Sequence, residues 1–345
     1  MSASLHELLS PPTDAISSVA FSPHTPNHLI ASSWDTTVRL YDINKASFGP
    51  SPSENPERVK FTHAAPVLDA CWGDSNNDVF SGGLDWQVKQ LNPETTIERV
   101  LGTHSAPAKS IAWNPEHKTL ITGSWDKTAH LYDPRLATPL THTLPQPHKI
   151  FSLSTISHTL VIAHASRSVY IYDLRYPIAP HQQRESSLKF MTRTVSCMPS
   201  GAGYASSSVE GRVAVEFFDP STEFQARKYA FKCHRQVVDG VDIVYPVNAL
   251  SFHPVYGTFA SGGGDGVVSL WDGIAKRRLR QYPRLPASVN SLSFNREGRY
   301  LAVAVSSGFE DGREEEPSGE NTKIYIRELA EGEGRGKAQQ QQQTK

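Results

Sequence analysis

Short runs of alternating apolar and polar residues recur along the chain, each followed by an aromatic residue and a turn. They read ISSVAFSP (16–23), VLDACWGD (67–74), AKSIAWNP (108–115), VNALSFHP (247–254) and VNSLSFNR (289–296). Alternation with a period of two places apolar side chains on one face of an extended segment, so each run predicts a half-buried strand. A second unit follows, most regular in SSWDTTVRLYD (32–42) and GSWDKTAHLYD (123–133), and reads as strand, Asp-containing turn, strand. These units end at Asp42, Asn92, Asp133, Asp173, Asp219, Asp272 and, more weakly, Arg327, at intervals of 50, 41, 40, 46, 53 and 55 residues.

Repeats of about 40–45 residues with four short strands and a terminal WD-like dipeptide are the signature of the WD-repeat propeller. Trp271-Asp272 is the literal form. The expected fold is therefore all-β: a single seven-bladed WD-repeat β-propeller over residues 3–330. Closing the ring removes sheet edges that an open chain would expose. The last repeat ends on its third strand, KIYIREL (323–329), so residues 3–10 are expected to supply the outer strand of the last blade. Two insertions break the period, 220–246 and 306–321, the latter with six acids and one Arg. From Glu331 the chain is rich in Gly and Gln and poor in apolar residues, so 331–345 is expected to be a disordered tail.

The repeats can be compared with one another at the turn between the middle strands. An acid stands there at Asp35, Asp85, Asp126, Glu210 and Asp265, with Ser166 in the fourth repeat. A shared turn carboxylate reads as structural, accepting backbone N–H groups and a bond from a preceding histidine, for which His63 and His104 are well placed. The position before the acid varies: Trp34, Leu84, Trp125, Ala165, Val209 and Gly264. The scaffold does not demand tryptophan there. Two large aromatics at turn tips suit a binding surface, although packing on a neighbouring blade would also account for them. Two positions after the acid stand Thr37, Gln87, Thr128, Ser168, Arg212 and Val267, of which Arg212 alone is charged. From 184 to 235 eight basic residues, among them Arg193, Lys228, Lys232 and Arg235, face five acids. Arg212 presents a donor fork suited to phosphate or carboxylate, or is satisfied internally by Glu185, Glu210, Glu216 or Glu223. A second basic run, KRRLR (276–280), reads as a solvated turn.

Composition narrows the classes. With 34 Lys+Arg against 35 Asp+Glu the net charge is −1, which argues against a generic nucleic-acid coat. Three cysteines, Cys71, Cys197 and Cys233, form no CxxC pair and no secreted disulfide framework, so a reducing compartment is expected. No signal-like segment or 18-residue apolar run occurs. The 14 histidines form no HExxH, and neither a phosphate-loop Lys-Ser/Thr nor a Gly-x-Ser-x-Gly elbow is present, so catalysis, metal and cofactor are not expected.

At RESSLKFMTR (184–193), SSVEGRVAVEFFDPS (207–221) and YAFKCHR (229–235) the chain resembles the Bub-three mitotic (spindle assembly) checkpoint family of WD-repeat proteins. SGGLDWQVK (81–89), GSWDKT (123–128) and YPVNALSFHP (245–254) extend the likeness over all seven repeats. The resemblance implies a non-enzymatic adaptor, nuclear and at the kinetochore in mitosis. Similar proteins bind GLEBS motifs of the Bub checkpoint kinase and its Mad/BubR relatives, and dock on phosphorylated Met-Glu-Leu-Thr repeats of a kinetochore scaffold. No membrane and no direct nucleic acid is implied as a partner. On matching positions, Trp34 and Trp125 would contact GLEBS, Arg193 would pair with its glutamates, and Arg212 would receive phosphothreonine, with Lys232 and Arg235 extending the patch. A sibling, the WD-repeat messenger-RNA export factor of the nuclear pore, shares GSWDKT, EGRVA and FKCHR but lacks the RESSLK form. It implies the alternative of binding a nucleoporin GLEBS motif.

Overall fold

A computed structural model describes residues 5–44, 54–307 and 321–336. Seven four-stranded antiparallel sheets are arranged as blades around a central channel, and a two-stranded hairpin stands apart from them. In blade one the strands run Ile16–Phe21, His28–Ser33, Thr37–Asp42 and Glu57–Thr62 from the channel outward. Second strands such as Val79–Gly83 are buried on both faces, because each blade is covered on both sides by its neighbours. Small residues permit that approach: a Cβ on Gly262 would lie 2.4 Å from Val289 Cγ1 of the next blade.

Each of seven apolar clusters among the described residues joins two neighbouring blades. Ile30, Val38, Leu40 and Phe61 of blade one, for example, meet Val67, Ala70, Trp72 and Val79 of blade two. Side-chain oxygens of one inner strand also accept backbone N–H groups of an adjacent one. Val19 N–H donates to Ser291 Oγ at 3.0 Å, Ala70 to Ser18 at 3.2 Å, Ile111 to Asp69 Oδ2 at 2.8 Å, Leu153 to Ser110 at 3.1 Å and Val195 to Ser152 at 3.1 Å.

The ring closes as the repeats require. Leu5–Glu7 is the outer strand of blade seven, antiparallel to Lys323–Glu328 with Leu5 opposite Arg327 and Glu7 opposite Tyr325. Glu7 pairs with Lys323 at 2.9 Å. Leu8, fully buried, then turns inward to pack on Ile16, Val19, Ile324 and Ile326.

Two segments differ from expectation. The 220–246 insertion contains a short helix, Thr222–Arg227, the outer strand of blade five, Tyr229–Lys232, and the hairpin Arg235–Val238 with Val241–Val244. Residues 331–336, expected to begin a disordered tail, pack instead as a turn against blades six and seven. The reason is polar, and therefore invisible to an apolar count: the buried Glu333 carboxylate accepts the Ala330 N–H and Arg327 Nη2, and Gly334 O accepts the Thr258 hydroxyl at 2.6 Å. Residues 337–345 and most of the acidic insertion, including 309–320, lie outside the described residues.

Closure by the N-terminal strand predicts unequal truncations. Deleting residues 1–12 should lower the melting temperature far more than deleting 337–345, and Leu8→Ala alone should cost about 2–5 kcal/mol. Circular-dichroism melts check this, and equal melting of the two truncations would contradict it.

Candidate functional site

The turn between second and third strands is built alike in most blades. The acid accepts the N–H two residues on: Thr37 to Asp35 at 3.0 Å, Gln87 to Asp85 at 3.2 Å, Thr128 to Asp126 at 2.8 Å and Val267 to Asp265 at 3.2 Å. The residue between is left-handed, with φ of 70° at Thr36, 67° at Trp86, 67° at Lys127, 64° at Gly211 and 72° at Gly266. Glycine adopts this region freely and the others at some cost, which the carboxylate offsets by fixing the turn.

Histidines lock the turns to the sheet, as expected for His63 and His104. His63 Nδ1 meets Asp85 at 2.8 Å and its Nε2 meets Ser81 Oγ at 2.8 Å; His104 bridges Asp126 at 3.0 Å and Thr122 at 2.8 Å. His234 repeats the arrangement with Asp265 and Ser261, and Ser261 also accepts Trp271 Nε1–H at 2.8 Å. Blade four exchanges the partners, with Gln146 in the histidine's place bonded to His164 of the second strand at 3.0 Å. Burial works to raise the Asp126 carboxyl, but bonds from Thr128, Ser105 and His104 outweigh it and hold the group at about 2.

Inner strands begin beside these turns, so both open on one face; Trp34 N–H, for instance, donates to Ala15 O at 2.8 Å. All six residues singled out from the sequence stand on that face. Trp34 is 42% exposed at its turn tip. Trp125 is half-buried, with Lys149 Nζ 5.8 Å from its ring centroid and its buried Nε1–H without a hydrogen-bond partner among the described residues. Arg193, exposed at the start of the inner strand Thr192–Cys197 of blade five, donates from Nε to Asn248 Oδ1 at 3.0 Å. Farther out on the same blade, Arg212 and Lys232 are cross-strand partners and hence neighbours on one sheet face.

The cations are not equally available. Arg212 Nε lies 2.6 Å from Glu210 Oε1, one of the internal partners anticipated, with alignment too poor for a hydrogen bond. Its other guanidinium nitrogens make no bond among the described residues. Arg235 is largely committed: Nη2 donates to Glu210 O at 2.7 Å and Nη1 pairs with Asp242 at 3.1 Å. Lys232 is exposed and lines a cavity of about 220 Å3 with Arg235, Asp265 and Arg278.

Two residues of this face escaped the sequence comparison. Trp86 is 46% exposed at the left-handed position of the blade-two turn, one place after the acid, so with Trp34 and Trp125 one place before it, blades one, two and three each carry an indole at this turn. The signal was a bulky aromatic at the position where blades five and six carry glycine. Lys109 occupies in the inner strand of blade three (Ala108–Asn114) the place that Arg193 holds in blade five. Burial and the Arg193 charge lower its pKa, opposed by Asp69.

The WD domain, G-beta repeat model matches residues 3–42, 95–133 and 229–272. The Arabidopsis thaliana mitotic checkpoint protein BUB3.1 is 48% identical over 329 residues, covering 94% of this chain and 93% of that protein. The chain belongs to the Bub3 mitotic checkpoint family. The family's export-factor kin are more distant: the mRNA export factor GLE2 of Chaetomium thermophilum is 34% identical over 93% of this chain and 89% of its own. In fold alone, this Bub3-family chain resembles the solved structure of U3-55K, with a TM-score of 0.76 at 14% identity over 94% of this chain and 98% of the other.

The histidines that brace the Bub3-family scaffold set its acid sensitivity. Burial depresses His130, His164 and His253 to about 4, with a further push on His130 from the His104 ring stacked 3.9 Å away. Their folded pKa values lie below the unfolded value of about 6.5, so the unfolded chain binds protons first as pH falls. Their contribution is intact above about pH 6.5 and lost between there and about pH 4, at most about 3 kcal/mol each. The melting temperature should be level near pH 7–8 and fall steeply below about pH 6; a level profile down to about pH 4.5 would contradict this.

Proposed function

We propose that this chain is a non-enzymatic mitotic (spindle assembly) checkpoint adaptor whose turn face binds GLEBS segments of Bub-family kinases and docks them on a phosphorylated kinetochore scaffold in the mitotic nucleus. The observation that carries the reading is the division of that face. Indoles of Trp34, Trp86 and Trp125 stand on blades one to three, and Arg193, Arg212 and Lys232 stand on blade five. Rigid aromatics with one polar atom are suited to anchoring a peptide, and guanidinium forks to its carboxylates and to phosphate.

In this reading Trp34, Trp86 and Trp125 hold the GLEBS segment, while Arg193 and Lys109 at the channel mouth meet its glutamates. Arg212 receives phosphothreonine. A phosphoryl dianion carries about −1.5 to −2 charge and three acceptors, so it competes well with the single misaligned contact to Glu210. Lys232 adds charge beside it, whereas Arg235 acts by holding the Glu210 carbonyl and the hairpin in place. The similarity to export factors favours a second reading, in which the same face takes a nucleoporin GLEBS segment without phosphate.

Two experiments test the division of labour. Trp34→Ala, Trp86→Ala and Trp125→Ala should each weaken a GLEBS peptide by about 2 kcal/mol, roughly thirtyfold, in calorimetry, with melting temperature little changed. Unchanged affinity in all three would overturn the aromatic anchor. Arg212→Ala should remove about 2–5 kcal/mol of preference for phosphorylated over plain scaffold peptide, with partial recovery in Arg212→Lys. Retention of the full preference in fluorescence anisotropy would overturn the phosphate assignment and leave the export reading standing.

A further inference from the structure

The basic run KRRLR does not form the solvated turn expected of it. Arg277–Gln281 is the outer strand of blade six. Arg277, Arg278 and Arg280 of that strand line a cavity of about 500 Å3 together with Arg335, Glu331, Glu333 and the backbone of Ala330 and Gly332. Asp272, at the end of the third strand remote from the turn tip, is opposite Arg277, so the cavity opens away from the turn face.

The second wall is built by specific bonds. Glu333, its side chain 1% exposed, accepts the Ala330 N–H at 2.8 Å and Arg327 Nη2 at 3.2 Å, and lies 3.4 Å from Arg280 Nη1. Thr258 fastens Gly334 from below, and Arg335 stacks its guanidinium 5.3 Å from the Tyr256 ring centroid. The carboxylate of Glu333 is thus balanced within the wall. Among the lining side chains four guanidiniums stand against two carboxylates, an excess of two positive charges. Arg277 also keeps a buried Nε–H with no hydrogen-bond partner among the described residues, an open donor that a bound anion would satisfy.

We propose that this cavity is an anion site for a polypeptide segment carrying one phosphorylated residue. Clustered guanidinium forks match phosphate oxygens in pairs, and the excess of two positive charges matches a single phosphoryl group of about −1.5 to −2. The cavity is bounded by a strand and a turn, whereas a nucleic-acid backbone needs a continuous basic track. Free inorganic phosphate shares the chemistry, and the test separates it.

The full chain carrying Arg212→Ala, which removes the phosphate acceptor assigned to the turn face, is titrated calorimetrically, at about 0.15 M salt, with a peptide bearing one phosphoserine, its unphosphorylated form, inorganic phosphate and a thymidine oligonucleotide. The phosphopeptide should bind and the plain peptide should not. In that background Arg277→Gln with Arg335→Gln should weaken it at least about tenfold at unchanged melting temperature, and Arg277→Lys with Arg335→Lys should recover part. No phosphopeptide binding, undiminished binding by the double Gln variant, or tighter binding of inorganic phosphate or the oligonucleotide through the same arginines would overturn the proposal.

Discussion

The structure depends on how neighbouring inner strands are tied to one another around the channel. An inner strand has one edge paired within its blade and another facing the axis, where unpaired N–H groups would be costly. Short side chains on the adjacent blade meet that need: Ser18, Ser110, Ser152 and Ser291 each accept an N–H across a blade junction, and Asp69 does so between blades two and three. A hydroxyl two bonds from the main chain leaves little slack. Blade spacing and register are thereby fixed, and turn tips far apart in sequence come to share one face. Asp69 also brings a carboxylate into the channel wall, and Lys109 carries the opposing charge beside it.

Fixed spacing lets a repeated scaffold present an unrepeated surface. The acid of most turns is held by local N–H groups, joined at Asp85, Asp126 and Asp265 by a histidine, so the tip residues beside it contribute little to the core and are free to differ. Trp34, Trp86 and Trp125 therefore populate one side of the ring and the Arg193–Arg212–Lys232 group another, without disturbing the seven clusters between blades. Division of the surface arises from composition at tips and not from any change in backbone architecture.

Legibility followed the same line. Features that recur between repeats could be read from the chain against itself: strand order, turn acids, and the His63 and His104 partners, with the closing strand following from the one strand the last repeat lacks. Single features could not. Trp86 sat between the acid and the residue two places on, in the one column not compared, and at a left-handed site where the scaffold favours glycine. Arg235 resembled a free cation because its acceptor is the main-chain oxygen of Glu210, which no side-chain census contains. The 331–336 turn looked unable to order for want of apolar residues, yet Glu333 reaches Arg327 and Arg280, which lie on the outer parts of two different blades.

Closure of blade seven has a consequence for how the molecule is made. Its outer strand, Leu5–Glu7, leaves the ribosome ahead of its partner, Lys323–Glu328, which arrives 318 residues later, counting from Leu5 to Lys323. At about 5–20 residues per second the first strand waits roughly 16 to 64 seconds before it can pair. Throughout that interval the apolar face of blade one that finally packs on Ile324 and Ile326 has no cover. The seam between blades one and seven is thus the last apolar surface of the ring to be buried.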